Sequence, residues 1–136
     1  MPSAIGSAPH LPSLPVNIAL VASGFAVWSV FSLLPIYTQT GAAAHVREAW
    51  DTVPFWRIGV PIILLAQAMA AAIGGNNRYL PLWTLGGFFA GVLVVHPAGN
   101  DFGMLPLALL FVGLPSYLAL LAAGAIGCWL QACLPD

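Results

Sequence analysis

The side chains that could do chemistry in this chain are few, and they stand between long apolar runs. His45, Glu48 and Asp51 are spaced three apart, and His96 and Asp101 bracket a second polar stretch. Imidazole and carboxylate together could bind a transition metal or serve as acid and base. These five residues are therefore the candidates if the protein is an enzyme. Spacing by threes spreads 45, 48 and 51 over a broad helical stripe and matches no metal signature such as H-E-x-x-H. The plainer reading is a solvated, self-paired loop at a boundary. His45 and His96 could also be an axial haem pair, but both fall at the ends of apolar runs, whereas such ligands normally face each other inside a bundle.

Other reactive groups are isolated. Cys128 and Cys133 are five apart, which on a helix turns them about 140° from each other after one full turn, so they do not bridge. They form no C-x-x-C pair and read as small apolar fillers. Arg57 sits two residues into an apolar run, close enough to its end to reach outward along the side chain. Gln67 is the only long polar side chain at the centre of such a run. An interhelical hydrogen bond is its ordinary use, and lining a transport path is the alternative. Trp28 also lies mid-run, where its indole N–H needs a Ser or a carbonyl on a neighbouring helix. The chain carries no phosphate loop, no serine-nucleophile signature and no dinucleotide fingerprint.

The elements that must position these groups are set by composition. The 136 residues are 60% hydrophobic and 5% charged, with formal net charge −1; an ordinary soluble domain carries about 25% charged residues. Arg47, Arg57 and Arg78 against Glu48, Asp51, Asp101 and Asp136 are all the charges there are, with no lysine. Seven charges do not cover the surface of a soluble domain. Disordered chains are apolar-poor, and nucleic-acid binders need basic clusters. Those three classes are excluded. An integral, multi-pass membrane protein remains, with the lipid bilayer as its first partner; the composition does not say which membrane.

The fold class expected is all-α: a bundle of four transmembrane helices, the last one long and kinked at Pro115. Residues 1–15 form a proline-rich N-terminal tail and residues 16–136 a single four-helix domain. The first 37 residues make a poor secretory signal, since the tail has no Lys or Arg and the apolar run exceeds a signal core. The spans are 16–37, 55–73, 82–95 and 104–134, each measured against a hydrocarbon core of about 30 Å. The third is short unless residues 79–81 supply its first turn. The fourth is long enough that residues 104–113 could instead be a half-helix. Residues 41–51 are expected to form a short helix pairing Arg47 with Asp51 at i, i+4. No internal repeat is read, because the loop chemistry of the two halves differs. Two arginines on one side against one on the other leave the orientation undecided.

Small residues recur at four-residue spacing: Ala22 and Ala26, Ala66 and Ala70, Gly87 and Gly91, Ala123 and Gly127. Such faces let helices approach in lipid, where the hydrophobic effect does not drive association. Gly87 and Gly91 are either an internal packing seam or a partner face, with Phe88 and Phe89 turned away. Tyr37, Trp50, Phe55, Trp56 and Phe102 are expected in one interfacial aromatic belt, and Tyr79, Trp83 and Trp129 in the other.

The function expected is a non-catalytic accessory subunit of a larger membrane complex, energy-transducing complexes included. Its partners would be other membrane subunits, in a hetero-complex or by self-association. A small homo-oligomeric channel or carrier, with Gln67 on the path, is the second reading. An interfacial membrane enzyme using the His and carboxylate face is the third. No midplane carboxylate, Lys or His is present for proton coupling. The motifs call for no cofactor; a haem, a quinone or a pigment stays open.

Overall fold

The computed structural model describes residues 13–75, 77–96, 107 and 109–134. The described part is all-helical. Helix α1 (Leu14–Thr38) is followed by two 3-10 turns, Gly41–Ala43 and Ala49–Asp51. A π-helical turn, Phe55–Gly59, runs directly into α2 (Val60–Gly74). After α3 (Leu80–Val94), a second π turn, Leu109–Gly113, leads into α4 (Leu114–Cys133). Three helical stretches are long and apolar enough to cross a membrane: Leu14–Thr38, Phe55–Gly74 and Leu110–Cys133. The fourth, α3, has 15 residues, or about 22 Å, less than the hydrocarbon thickness.

Several boundaries differ from the sequence reading, each for a local reason. Helix α1 begins at Leu14 and so takes Leu14 and Pro15 from the expected tail, with Ser13 as its N-cap; a first-turn proline gives up only an amide the helix would not have used. The rest of the tail, residues 1–12, lies outside the described residues. Residues 41–51 do not form one helix. Ala44 and Glu48 leave helical geometry at ψ 71 and ψ 132, separating the two 3-10 turns. The expected i, i+4 pairing of Arg47 with Asp51 therefore has no helix to carry it. Instead the Arg47 amide donates to the Ser32 carbonyl of α1 at 3.1 Å.

Pro115 is met by widening. The helix runs continuously through it, with the π turn ending two residues before. A proline ring clashes with the carbonyl four residues back, and a π turn moves that carbonyl off the ring's path. Pro61 in α2 is handled in the same way, two residues after Gly59. The two halves thus share a π turn followed by Gly-X-Pro, although their loops share nothing.

The helices pack as two tight pairs. Helices α1 and α3 make the most extensive contact, and α2 with α4 the next. Val21 meets Gly87 and Trp28 meets Gly91, so α1 and α3 run parallel. Gly127 meets Ala68, and the Cys128 thiol donates to the Ala71 carbonyl at 3.2 Å, so α2 and α4 are parallel too. A Cβ on Gly24 would lie 2.2 Å from the Thr84 carbonyl oxygen, and one on Gly87 1.9 Å from that of Val21. The α1 and α3 backbones touch at these two glycines. Phe88 is not turned away from this seam; it is buried at 7% exposure beside Trp28.

Candidate functional site

The sequence placed its candidate chemistry in the polar loops, and the structure does not gather it there. His45 is exposed, and its Nδ1 lies 3.0 Å from the Ala42 carbonyl oxygen. Asp51 is exposed at the end of the second 3-10 turn, and His96 is exposed just past α3. Glu48 accepts a hydrogen bond from the Trp50 indole N–H. Asp101 lies outside the described residues. Among the described residues, no three His, Cys, Asp or Glu side chains are close enough to share a metal ion. Cys128 and Cys133 are both free thiols.

The loop instead packs its aromatic ring into the bundle. Ala49 is fully buried, and Trp50 meets Trp28 edge-on with ring centroids 4.8 Å apart. Phe88 also meets Trp28 edge-on, at 4.9 Å, with Trp50 beside it at 6.4 Å, and Phe55 lies 6.2 Å from Phe88. Trp50 and Phe55 thus leave the expected belt for the core, while Tyr37 and Trp56 stay exposed; Phe102 lies outside the described residues. The reason is polar satisfaction as much as packing. The Trp28 indole donates to the Val95 carbonyl at 2.8 Å, at the open end of α3. The Trp56 indole donates to the Trp50 carbonyl at 2.7 Å. Each indole N–H finds an acceptor, so the rings can be apolar filler at the loop end of the bundle.

Next to this cluster, the looser meeting of the two helix pairs leaves a cavity of about 570 Å³. Helices α2, α3 and α4 and the loop all contribute to its wall. Trp50, Phe55, Trp56, Phe88, Phe89 and Phe111 supply aromatic surface. Both π turns reach it, since Phe55 and Trp56 belong to the first and Phe111 to Gly113 to the second. Trp56 and Phe111 are 58% and 69% exposed, so the cavity opens outward between the turns. Thr84 and Ser116 are the hydroxyl-bearing residues of its wall.

Thr84 connects the cavity to Gln67. Both are buried, at 1% and 0% exposure, and the Thr84 hydroxyl donates to Gln67 Oε1 at 2.9 Å. Gln67 Nε2 is buried without a hydrogen-bond partner. Gln67 was legible as a lone polar group awaiting an interhelical bond, and Thr84 was among the few span residues able to make one. The cavity was not legible, because its wall is drawn from four stretches of chain. Gly24, at the tightest helix crossing, was missed as well; the alanine motif beside it drew the attention instead. Gly87 and Gly91 lie against α1 inside the chain's own bundle. Compared with known proteins, the chain matches no family model, no curated protein and no solved structure.

Proposed function

We propose that this chain is a non-catalytic, four-span membrane subunit that acts by lateral association with other membrane subunits. The observation that supports this reading is the outward face of α1. Of the four small-residue motifs, Ala70, Gly87, Gly91, Ala123 and Gly127 are buried in the chain's own packing. Ala22 and Ala26 are exposed, with Ala19 beside them. A smooth face of this kind allows another helix to approach closely in lipid. Helix α4 adds a second free surface, since only 17% of its span is buried within the chain, against 39% for α1. Helix α3 serves as the fourth span in this reading. It runs parallel to α1 along their seam, and the residues flanking it on either side make up the missing length.

The alternative of a homo-oligomeric channel or carrier draws less support, because Gln67 is enclosed and bonded to Thr84 instead of lining an opening. The test is native mass spectrometry of the protein extracted from its own membrane in mild detergent. A hetero-complex of fixed stoichiometry is expected. It should be lost on joint Ala22→Leu and Ala26→Leu substitution, with the heat stability of the chain itself unchanged. Recovery of a lone monomer or a homo-oligomer from the unsubstituted protein would refute the reading.

A further inference from the structure

We propose that the cavity between α2, α3 and α4 binds a membrane-soluble ring compound bearing a carbonyl, of the quinone type. The proposal is independent of the subunit reading. Its first support is the size and surface of the space. At about 570 Å³ the cavity falls within the range of small-molecule sites, which are mostly apolar with a few placed polar groups. Its aromatic rings stand at varied angles, so a flat ring can meet faces and edges together, a gain that a flexible chain does not share.

The second support is the Thr84–Gln67 pair, which fixes where the polar end of the ligand goes. One end of the Gln67 amide is bonded to the Thr84 hydroxyl, and the other end has no partner. With the amide turned over, Nε2 donates to Thr84 Oγ1, Oε1 becomes the unpartnered end, and the proton of Thr84, a residue of the cavity wall, is free for another acceptor. The pair then works as a donor in want of an acceptor, and a ligand carbonyl supplies one. A hydrocarbon chain would fill the space without engaging the pair. The route in lies between the two π turns, where Trp56 and Phe111 are exposed. Widened turns of this kind recur at functional sites in helices.

The test uses the full chain in lipid nanodiscs, with a decyl-substituted benzoquinone as probe and tryptophan quenching as readout. Trp50 and Trp56 are in the wall, so a bound quinone should quench them saturably. A brominated fatty acid, also a quencher, serves as the tail-only comparison. Ala119 is exposed and lines the cavity, so Ala119→Trp should fill the space and abolish saturable quenching while the helical circular dichroism is retained. Thr84→Val should weaken quinone binding about tenfold, the size of one lost hydrogen bond, and leave the fatty acid unaffected. If Thr84→Val fails to fold, the joint Thr84→Val and Gln67→Leu substitution gives the second comparison, because it leaves no orphaned amide and still removes the hydroxyl donor, and the same selective loss is expected. Equal affinity for quinone and fatty acid, or quinone quenching unchanged by Ala119→Trp, would overturn the proposal.

Discussion

Gly87→Ala adds one methyl group where, among the described glycines, a Cβ would come closest to a neighbouring atom. The new Cβ would lie 1.9 Å from the Val21 carbonyl oxygen and 2.8 Å from its Cα, both backbone atoms that no rotamer change can move. Reaching ordinary contact near 3.4 Å requires the helices to separate by about 1.5 Å, more than enough to forfeit half the dispersion of each atom pair along the seam. With tens of such pairs at about 0.1–0.2 kcal/mol each, the loss is on the order of 2 kcal/mol. The Trp28–Val95 hydrogen bond spans the same pair of helices at 2.8 Å, and breaking it with its groups still buried costs about 1–3 kcal/mol more. The expected destabilisation is therefore roughly 3–5 kcal/mol. Reversible unfolding in mixed micelles measures it, with Trp28 fluorescence following exposure of the indole. Gly86→Ala is the control. It is the preceding residue, its Cβ would meet nothing within 4 Å, and alanine is the better helix former by up to about 1 kcal/mol. Equal stabilities for the two variants would refute the close approach of α1 and α3.

Thr84→Val leaves both ends of the Gln67 amide without a partner and should cost about 1–3 kcal/mol, whereas Thr84→Val with Gln67→Leu should be nearly neutral; a chemical-denaturation double-mutant cycle reads the difference. Trp50→Ala removes the ring that holds the 39–54 loop against Trp28, so limited proteolysis should cut near Arg47 at least tenfold faster, an opening cost of about 1.4 kcal/mol or more. Cys133 is exposed and Cys128 is partly buried with its thiol bonded to Ala71. A membrane-permeant maleimide should therefore modify Cys133 well before Cys128, and mass mapping should find no disulfide between them. Cysteines introduced at Gly41 and Gly75 should label from opposite sides of the membrane, and labelling from one side would break the alternation of α1 and α2.

The helices themselves were largely legible, because a run of some twenty uncharged apolar residues has few other fates. Residues 55–73 were read as a span, and the helical stretch is Phe55–Gly74. Facing was not legible. These helices are apolar on every side, so no amphipathic stripe marks an inward surface. That is why Ala22 and Ala26 drew attention in α1 while the contact is made by Gly24 between them. The 39–54 loop misled for a different reason. Its charges describe a wet boundary, but Ala49, Trp50 and Phe55 have enough apolar area to pull the segment into the bundle. Trp28 was anticipated as a mid-span indole needing a Ser or a carbonyl on a neighbouring helix, and the Val95 carbonyl is the one it finds; that need follows from one N–H and does not depend on which way a helix turns. The cavity depends on how two helix pairs fail to close against each other, and no single segment encodes that.

The parallel pairing of α1 with α3 and of α2 with α4 bears on how the chain is made. In the four-span reading proposed above, a ribosome delivers these helices to the bilayer in order, so α1 waits through the arrival of α2 before its principal neighbour exists. Helix α2 waits likewise for α4. Neither hairpin of consecutive helices is a self-sufficient half, and assembly is deferred until the last helix has entered. The same arrangement makes the two halves mutual templates. A chain cut at Gly75 yields one fragment carrying α1 and α2 and another carrying α3 and α4, each holding one side of both seams. Co-expressed, the two pieces should find each other in the bilayer and restore the bundle, while either alone should be left to cellular quality control.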